Sequence, residues 1–283
     1  MRIAVLGTGT VGRSLASRLA YKDHEVTLGT RDIEVTTGRT TPDPSGNPPL
    51  SEWLAIQRGV RVATVTAATE RADLVINAVS GESVIAALEL AGDENLAFKV
   101  LLDVSNGLNF SEGFPPKLLV ANTDSLGEQI ERAFPDARVV KSMNTMNASL
   151  MLSPMQVAGG DHTVFVAGDD KGAKATVKEL LESFGWNDII DLGGISASRG
   201  AEMLLPAWLL LSQALETTQF QFKIARSHRK TGTRCGGACA KSSRGVGLRR
   251  KPGSHQPCPL TDGRAPRRRG GATRATVVVS QNP

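Results

Sequence analysis

Six residues near the start of the chain, Gly7-Thr8-Gly9-Thr10-Val11-Gly12, have the types and spacing of a loop that cradles phosphate. Each glycine has its own task. Gly7 permits a tight turn, Gly9 lets the backbone approach a pyrophosphate with no side chain in the way, and Gly12 lets a helix pack closely on a strand. The amides and dipole at the helix N-terminus then stabilise the anion. The residues at 28–32, Leu28-Gly29-Thr30-Arg31-Asp32, choose the coenzyme. NAD binders place an acid about 20 residues after the glycine loop, to accept the ribose hydroxyls. Here Gly29 and Thr30 hold the acid positions. Thr30 can donate to a 2′-phosphate and Arg31 can pair with it or stack over it, so the pattern favours NADP. Asp32 either turns toward the ribose or serves as a turn or cap residue.

Other polar groups sit where strands should end. Asn77-Ala78-Val79-Ser80-Gly81 ends one strand, and its small residues suit a close approach to the nicotinamide ribose. A strand-to-helix turn capped by Ser80 explains them equally. Asp103-Val104-Ser105-Asn106-Gly107 ends another strand, although Asn-Gly is a turn dipeptide in its own right. His24 and His162 are expected at the surface. Lys141 and Asn144 suggest the Lys and Asn pair of hydroxyacid dehydrogenases, but their spacing continues a strand instead of sharing a helical face. No acid–base residue stands out. Hydride transfer between two redox rings needs positioning and exclusion of water more than a protein proton donor.

These residues need a scaffold of alternating elements. Arg2 to Leu6, Glu25 to Leu28, Val60 to Val65, Leu74 to Val79 and the apolar Val100 to Val104 read as strands. Val139-Val140, Val164 to Ala167 and Asp188 to Leu192 read likewise. Helices are expected over Gly12 to Ala20, Ser51 to Gln57, Glu82 to Leu90, Leu126 to Phe134 and Lys171 to Phe184, with a helix or helix pair, bent at Pro206, over Ser196 to Glu216. Ile33 to Leu50, with four prolines, reads as loop. The expected fold class is α/β: a doubly wound parallel sheet of the Rossmann dinucleotide-binding kind, with a small C-terminal α/β region. The expected division is 1–150 for the NADP-binding domain, 151–226 for a small region closing the site, and 227–283 for a disordered basic tail.

Composition narrows the class. At 283 residues, with 40% hydrophobic and 22% charged side chains, the chain can bury a real core. The apolar run Met203 to Leu211 is broken by Pro206 and falls short of a membrane span, and no signal peptide is evident. The formal charge of +5 averages two unlike pieces. Residues 227–283 carry 13 Lys+Arg against 1 Asp+Glu, and residues 1–226 carry 20 against 27. All three cysteines lie in the first of these pieces and all twelve aromatics in the second. An acidic, cysteine-free body fits a cytoplasmic enzyme.

With these motifs in hand, the chain resembles the NADP-dependent reductases of the deazaflavin coenzyme F420, and more closely their actinobacterial branch of NAD(P)-binding oxidoreductases. The matching pieces are Gly7 to Gly12, Gly29 to Asp32, Gly46-Asn47-Pro48-Pro49, Asn122 to Glu128, Val139 to Thr145, Val166 to Asp170 and Arg199 to Pro206. The resemblance implies hydride transfer between NADPH and a deazaflavin ring as small-molecule redox acceptor. It also implies 2′-phosphate contact at Thr30-Arg31, and places Met143-Asn144-Thr145 near the ring pocket. Asn106-Gly107 departs from the family's Asn-Pro.

The family ends near Phe220 to Arg226, which suggests that the tail is read-through or out-of-frame translation. Nucleic-acid binding through Arg249 to Lys251 and Arg267 to Arg269 is disfavoured, because no aromatics are interleaved for stacking. A zinc site at Cys235, Cys239, His255 and Cys258 lacks paired ligand spacing. Two other functions stay open: a dehydrogenase of a small hydroxy acid or imine, and an NADPH sensor without turnover. The helix over Met203 to Leu215 is either core or the contact of a homodimer.

Overall fold

The computed structural model describes residues 1–43 and 45–226; the expectations for the tail, its charge clusters and its cysteines lie outside the described residues. The strands are β1 (Arg2–Leu6), β2 (Glu25–Thr30), β3 (Val60–Thr64), β4 (Leu74–Asn77), β5 (Val100–Asp103), β6 (Leu108–Asn109), β7 (Lys117–Leu118), β8 (Arg138–Ser142), β9 (Thr163–Ala167) and β10 (Asp188–Asp191). The helices are α1 (Thr10–Tyr21), α2 (Ile33–Thr37), α3 (Leu50–Ile56), α4 (Val65–Glu70), α5 (Val84–Glu89), α6 (Asp93–Leu96), α7 (Leu126–Ala133), α8 (Ala148–Leu152), α9 (Lys171–Phe184) and α10 (Ser198–Ala214).

Eight strands form one sheet in the order β10-β9-β8-β5-β4-β1-β2-β3, and β6 and β7 form a small separate hairpin. From β3 to β8 every pairing is parallel, with the strand order of a dinucleotide-binding sheet. The strand order reverses between the parallel neighbours β1 and β4, which is where such sheets open a crevice for ligand. The strands are apolar because helices cover both faces. α1 and α9 pack Leu15, Leu19, Val177 and Leu181 against one face, with Trp186 beneath them. α4, α5 and α7 pack Ala68, Leu88 and Ile130 against the other.

Several sequence expectations need correction. The sheet is not wholly parallel, because β9 runs antiparallel to β8 through Lys141↔Ala167 and Ser142↔Val166. An antiparallel neighbour needs no long crossover helix, and α8 with short turns suffices for the connection. β9 meets β8 only through its last two residues, so Thr163 to Phe165 run on beyond the carboxyl end of β8. The boundary expected at residue 150 falls inside α8, and β9 and β10 extend the same sheet. Within the expected loop, Asp32 starts α2 by accepting a hydrogen bond from the Val35 amide at 2.9 Å, which makes it a cap. Val65, expected as strand, opens α4 under a cap from Thr64. Of the two alternatives for the last segment, the single helix holds, α10 with Pro206 inside it. His162 is buried, not at the surface: its Nε2 donates to the Pro154 carbonyl at 2.8 Å and its ring meets Trp186 edge-on.

Candidate active site at the carboxyl edge of the sheet

Gly7 follows β1 directly and has a φ of +110°, which a residue with a side chain rarely adopts. A Cβ there would lie 2.6 Å from the Ala78 carbonyl oxygen, so the loop after β1 presses on the loop after β4. Gly12 faces back onto Gly7, whose carbonyl oxygen would be 1.9 Å from an added Cβ. Gly9 is the contrast, with nothing within 4 Å of a Cβ. It caps α1 without a side chain, and Thr10 and Val11 begin the helix behind it. Room above Gly9 and uncapped amides at the start of α1 are what a pyrophosphate requires, so the residues present fit a dinucleotide.

The loop is braced from outside. The Arg13 guanidinium donates from Nε to the Thr8 carbonyl at 2.6 Å and from Nη1 to the Pro48 carbonyl at 2.5 Å. Its Cζ lies 5.9 Å from the Trp53 ring centroid. Burial pulls Arg13 below its ordinary pKa, with Asp43 opposing. The Gly46 to Pro49 segment, one of the pieces that carry the family resemblance, is thereby tied to the phosphate loop.

At the end of β2, Arg31 is exposed and makes no ion pair among the described residues. Thr8, Gly9, Arg39 and Thr41 line a cleft of about 160 Å³ beside the glycine loop. Thr30 is buried, and its hydroxyl lies 2.7 Å from that of Thr36. Thr36 donates its own proton to the Asp32 carbonyl at 2.6 Å, so the Thr30 proton is taken up by Thr36 or, at 3.4 Å, by the same carbonyl. Thr30 would have to release Thr36 to donate to a phosphate, which leaves Arg31 as the free donor at this position.

Ala78, Val79 and Ser80 lie past the end of β4. The Ala78 amide bonds to the Leu6 carbonyl and the Val79 amide to Asn77 Oδ1. Ser80 precedes a single 3-10 turn, but its side chain makes no capping hydrogen bond and is exposed. Gly81 lies against the next loop, where a Cβ would meet the Asn106 carbonyl oxygen at 2.4 Å. Asn106 donates to the Asn144 carbonyl at 2.8 Å. Asn144 Nδ2 in turn lies 3.2 Å from Asn106 Oδ1 and 3.1 Å from the Ala201 carbonyl. The candidate coenzyme-contact residues Gly7 to Gly12, Thr30, Arg31, Ala78 to Ser80 and Asn144 thus lie at or just after the carboxyl ends of the parallel strands β1, β2, β4 and β8.

Beneath that edge lies a polar network that the sequence analysis missed. Lys141 Nζ is fully buried, 2.7 Å from Asp103 Oδ2, 3.0 Å from Glu202 Oε1 and 2.8 Å from the Ser105 carbonyl. Asp103 Oδ1 also accepts from Asn77 and Ser105. Glu202 accepts the Leu126 and Gly127 amides at the start of α7. Burial pushes the Lys141 ammonium down, but the two carboxylates outweigh it and hold its pKa above the ordinary value. Two acids, one base and the positive end of a helix give a nearly neutral cluster. With all its protons committed, Lys141 is unavailable to a substrate, and the hydroxyacid-dehydrogenase pairing with Asn144 loses its basis. Nearby, Ser125 and Glu128 form a helix cap that Arg199 of α10 closes onto Glu128. Among the described residues no group of three or more His, Cys, Asp or Glu could hold a metal, and no helix is long and apolar enough to cross a membrane.

The comparisons agree with this geometry. Residues 2–107 match the family model described as NADP oxidoreductase, coenzyme F420-dependent. An F420-dependent NADP reductase of Methanothermobacter marburgensis is 30% identical over 219 residues, covering 75% of this chain and 92% of the relative. The metalloreductase STEAP3 of Rattus norvegicus is 29% identical over 212 residues, 73% of this chain, which spans 38% of that relative's length. A crystal structure from Arthrobacter sp. FB24, proposed there to be an F420-dependent NADP reductase, superposes with a TM-score of 0.76 at 57% identity, covering 80% of this chain and all of the other. A phosphate loop with room above its middle glycine, an unpaired arginine after β2 and two reductase relatives matched along nearly their whole length lead to one conclusion: the chain belongs to the coenzyme F420-dependent NADP oxidoreductase family and is an NADP-dependent oxidoreductase.

Proposed function

We propose that this enzyme moves a hydride between NADPH and the deazaflavin coenzyme F420. The observation that carries the reading is the state of the ionisable groups at the carboxyl edge. Asp103, Lys141 and Glu202, the buried ionisable groups beneath the place where the nicotinamide-side loops converge, are mutually paired, so none of the three is a free acid or base. Such an edge suits ring-to-ring hydride transfer, in which no proton need be exchanged with the protein. The names of the relatives from Methanothermobacter marburgensis and Arthrobacter sp. FB24 support the same acceptor.

When bound, NADPH supplies the hydride. The chain's own part is to bind, orient and exclude water. Gly7 to Gly12 offer amides to the pyrophosphate, with Thr8 and Thr10 at its flanks. Arg31, on its buried support Thr30, takes the 2′-phosphate. Ala78, Val79 and Ser80 border the nicotinamide ribose, and Asn144, fixed by Asn106 and Ala201, stands at the ring pocket. Residues 151–226 close the site over the ring. The same reading takes a homodimer, with the exposed Met203, Leu210 and Leu211 of α10 at the contact; a sedimentation mass of one chain would contradict it.

The test uses NADPH deuterated on the transferable face of its nicotinamide carbon, mixed with oxidised deazaflavin. Deuterium recovered on the reduced deazaflavin carbon is the expected result. No reduction, or reduction with the label lost to water, would overturn the proposal.

A further inference from the structure

A cleft distinct from the nucleotide groove lies on the outer side of α1. It measures about 550 Å³, within the range of small-molecule sites, and runs between α1 and α8. Arg13, Ser14, Arg18 and Tyr21 line one wall, and Ser149 and Ser153 line the other. No carboxylate lines it, although residues 1–226 carry more acids than bases. Its upper end is Thr10, at the phosphate loop, where Asn47 Nδ2 donates to Thr10 Oγ1 at 2.7 Å.

The two arginines differ. Arg13 is used up on the Thr8 and Pro48 carbonyls. Arg18 has its Cζ 5.6 Å from the Tyr21 ring centroid, and its Nε is buried with no hydrogen-bond partner. A guanidinium steadied by an aromatic ring, with no carboxylate paired to it among the described residues, is a charge prepared for an anion. The hydroxyl of Ser17 already donates to Gln57 Oε1 at 2.8 Å, and that of Ser149 to Asn147 Oδ1. Arg18 is therefore the main unfilled donor of the cleft.

We propose that this cleft is a subsite for the anionic side arm of the acceptor, an arm carrying phosphodiester or carboxylate groups, with Arg18 as the residue that pairs with it. The ring would lie at the carboxyl edge and the arm would pass Thr10 into the cleft. The inference rests on the ring-acceptor reading above, and its test separates the two.

The experiment measures binding to the full chain saturated with NADP+, by ring fluorescence. One pair of probes is oxidised deazaflavin with its phosphodiester arm and the same ring ending in a plain polyol. The other pair is FMN and riboflavin. Wild type should bind the arm-bearing member about tenfold more tightly. Arg18→Ala should bring that ratio to about one with NADP+ affinity unchanged, and Arg18→Lys should keep part of it. A ratio near one in wild type, or a ratio that survives Arg18→Ala, would overturn the subsite. Equal binding of both deazaflavins removes the subsite and leaves the deazaflavin reading standing. A preference for FMN over riboflavin that needs Arg18, with no deazaflavin bound, does the reverse. If no ring binds, both fall.

Discussion

Gly9 and Gly12 carry the same hydrogen for opposite reasons. Gly9 leaves open space above the loop, and Gly12 fits under the Gly7 carbonyl with none to spare. Gly9→Ala should therefore fold with stability within about 0.5 kcal/mol of wild type yet lose NADPH affinity about tenfold or more. Gly12→Ala should cost about 3 kcal/mol of stability. Urea melts beside NADPH titrations would tell these apart, and equal stability of the two variants would contradict the geometry. Arg31→Ala should weaken NADPH about 10- to 100-fold, the worth of charge-assisted bonds to a phosphate, and leave NADH unchanged. Paired steady-state KM values check this. The glycine spacing and Arg31 were legible in the sequence because a motif fixes them locally. The engagement of Thr30 with Thr36 was not, because α2 lay within a stretch whose prolines read as loop.

Among elements, the buried charges join α7, α10, β5 and β8. Lys141→Met would leave Asp103 and Glu202 buried without their cation, at a cost of about 3–5 kcal/mol. Adding Asp103→Asn and Glu202→Gln to that variant should recover part of the loss, because the stranded charges go with it. A urea midpoint for the triple variant no higher than for Lys141→Met alone would contradict the assignment. The cluster had a sequence signal: Asp103 and Lys141 each sit at the carboxyl end of an apolar run. Linking them needed the pairing of β5 with β8, which sequence patterning does not supply. The antiparallel turn of β9 was hidden for the same reason, since an apolar run carries no direction. The α7–α10 junction adds a pH dependence. The Arg199 guanidinium, with help from Ser125, holds the Glu128 carboxyl below its ordinary value of 4.5. A depressed carboxylate stabilises the fold above its unfolded pKa, and that contribution is lost as pH falls through the lower folded value. Stability should fall on acidification below about pH 4.5, and Glu128→Gln should flatten that limb. Identical acid limbs in thermal melts of the two proteins would count against the pair.

For the whole molecule, a sheet with one ligand-bearing edge places a phosphate loop, a coenzyme selector and a wall of small residues in one line, with the charged side chains beneath them paired off. The strand alternation and the glycine loop made this architecture legible from sequence, while the walls of the α1–α8 cleft come from segments more than a hundred residues apart and appear only on folding. On the proposed function, this edge serves NADPH and a ring acceptor. The most direct measurement follows the absorbance of reduced nicotinamide with the full chain, with and without oxidised deazaflavin, using NADPH and NADH in parallel. Rapid loss of NADPH is expected only when the deazaflavin is present, with NADH at least about tenfold slower. NADPH that binds without being consumed, or NADH consumed as fast, would contradict this function.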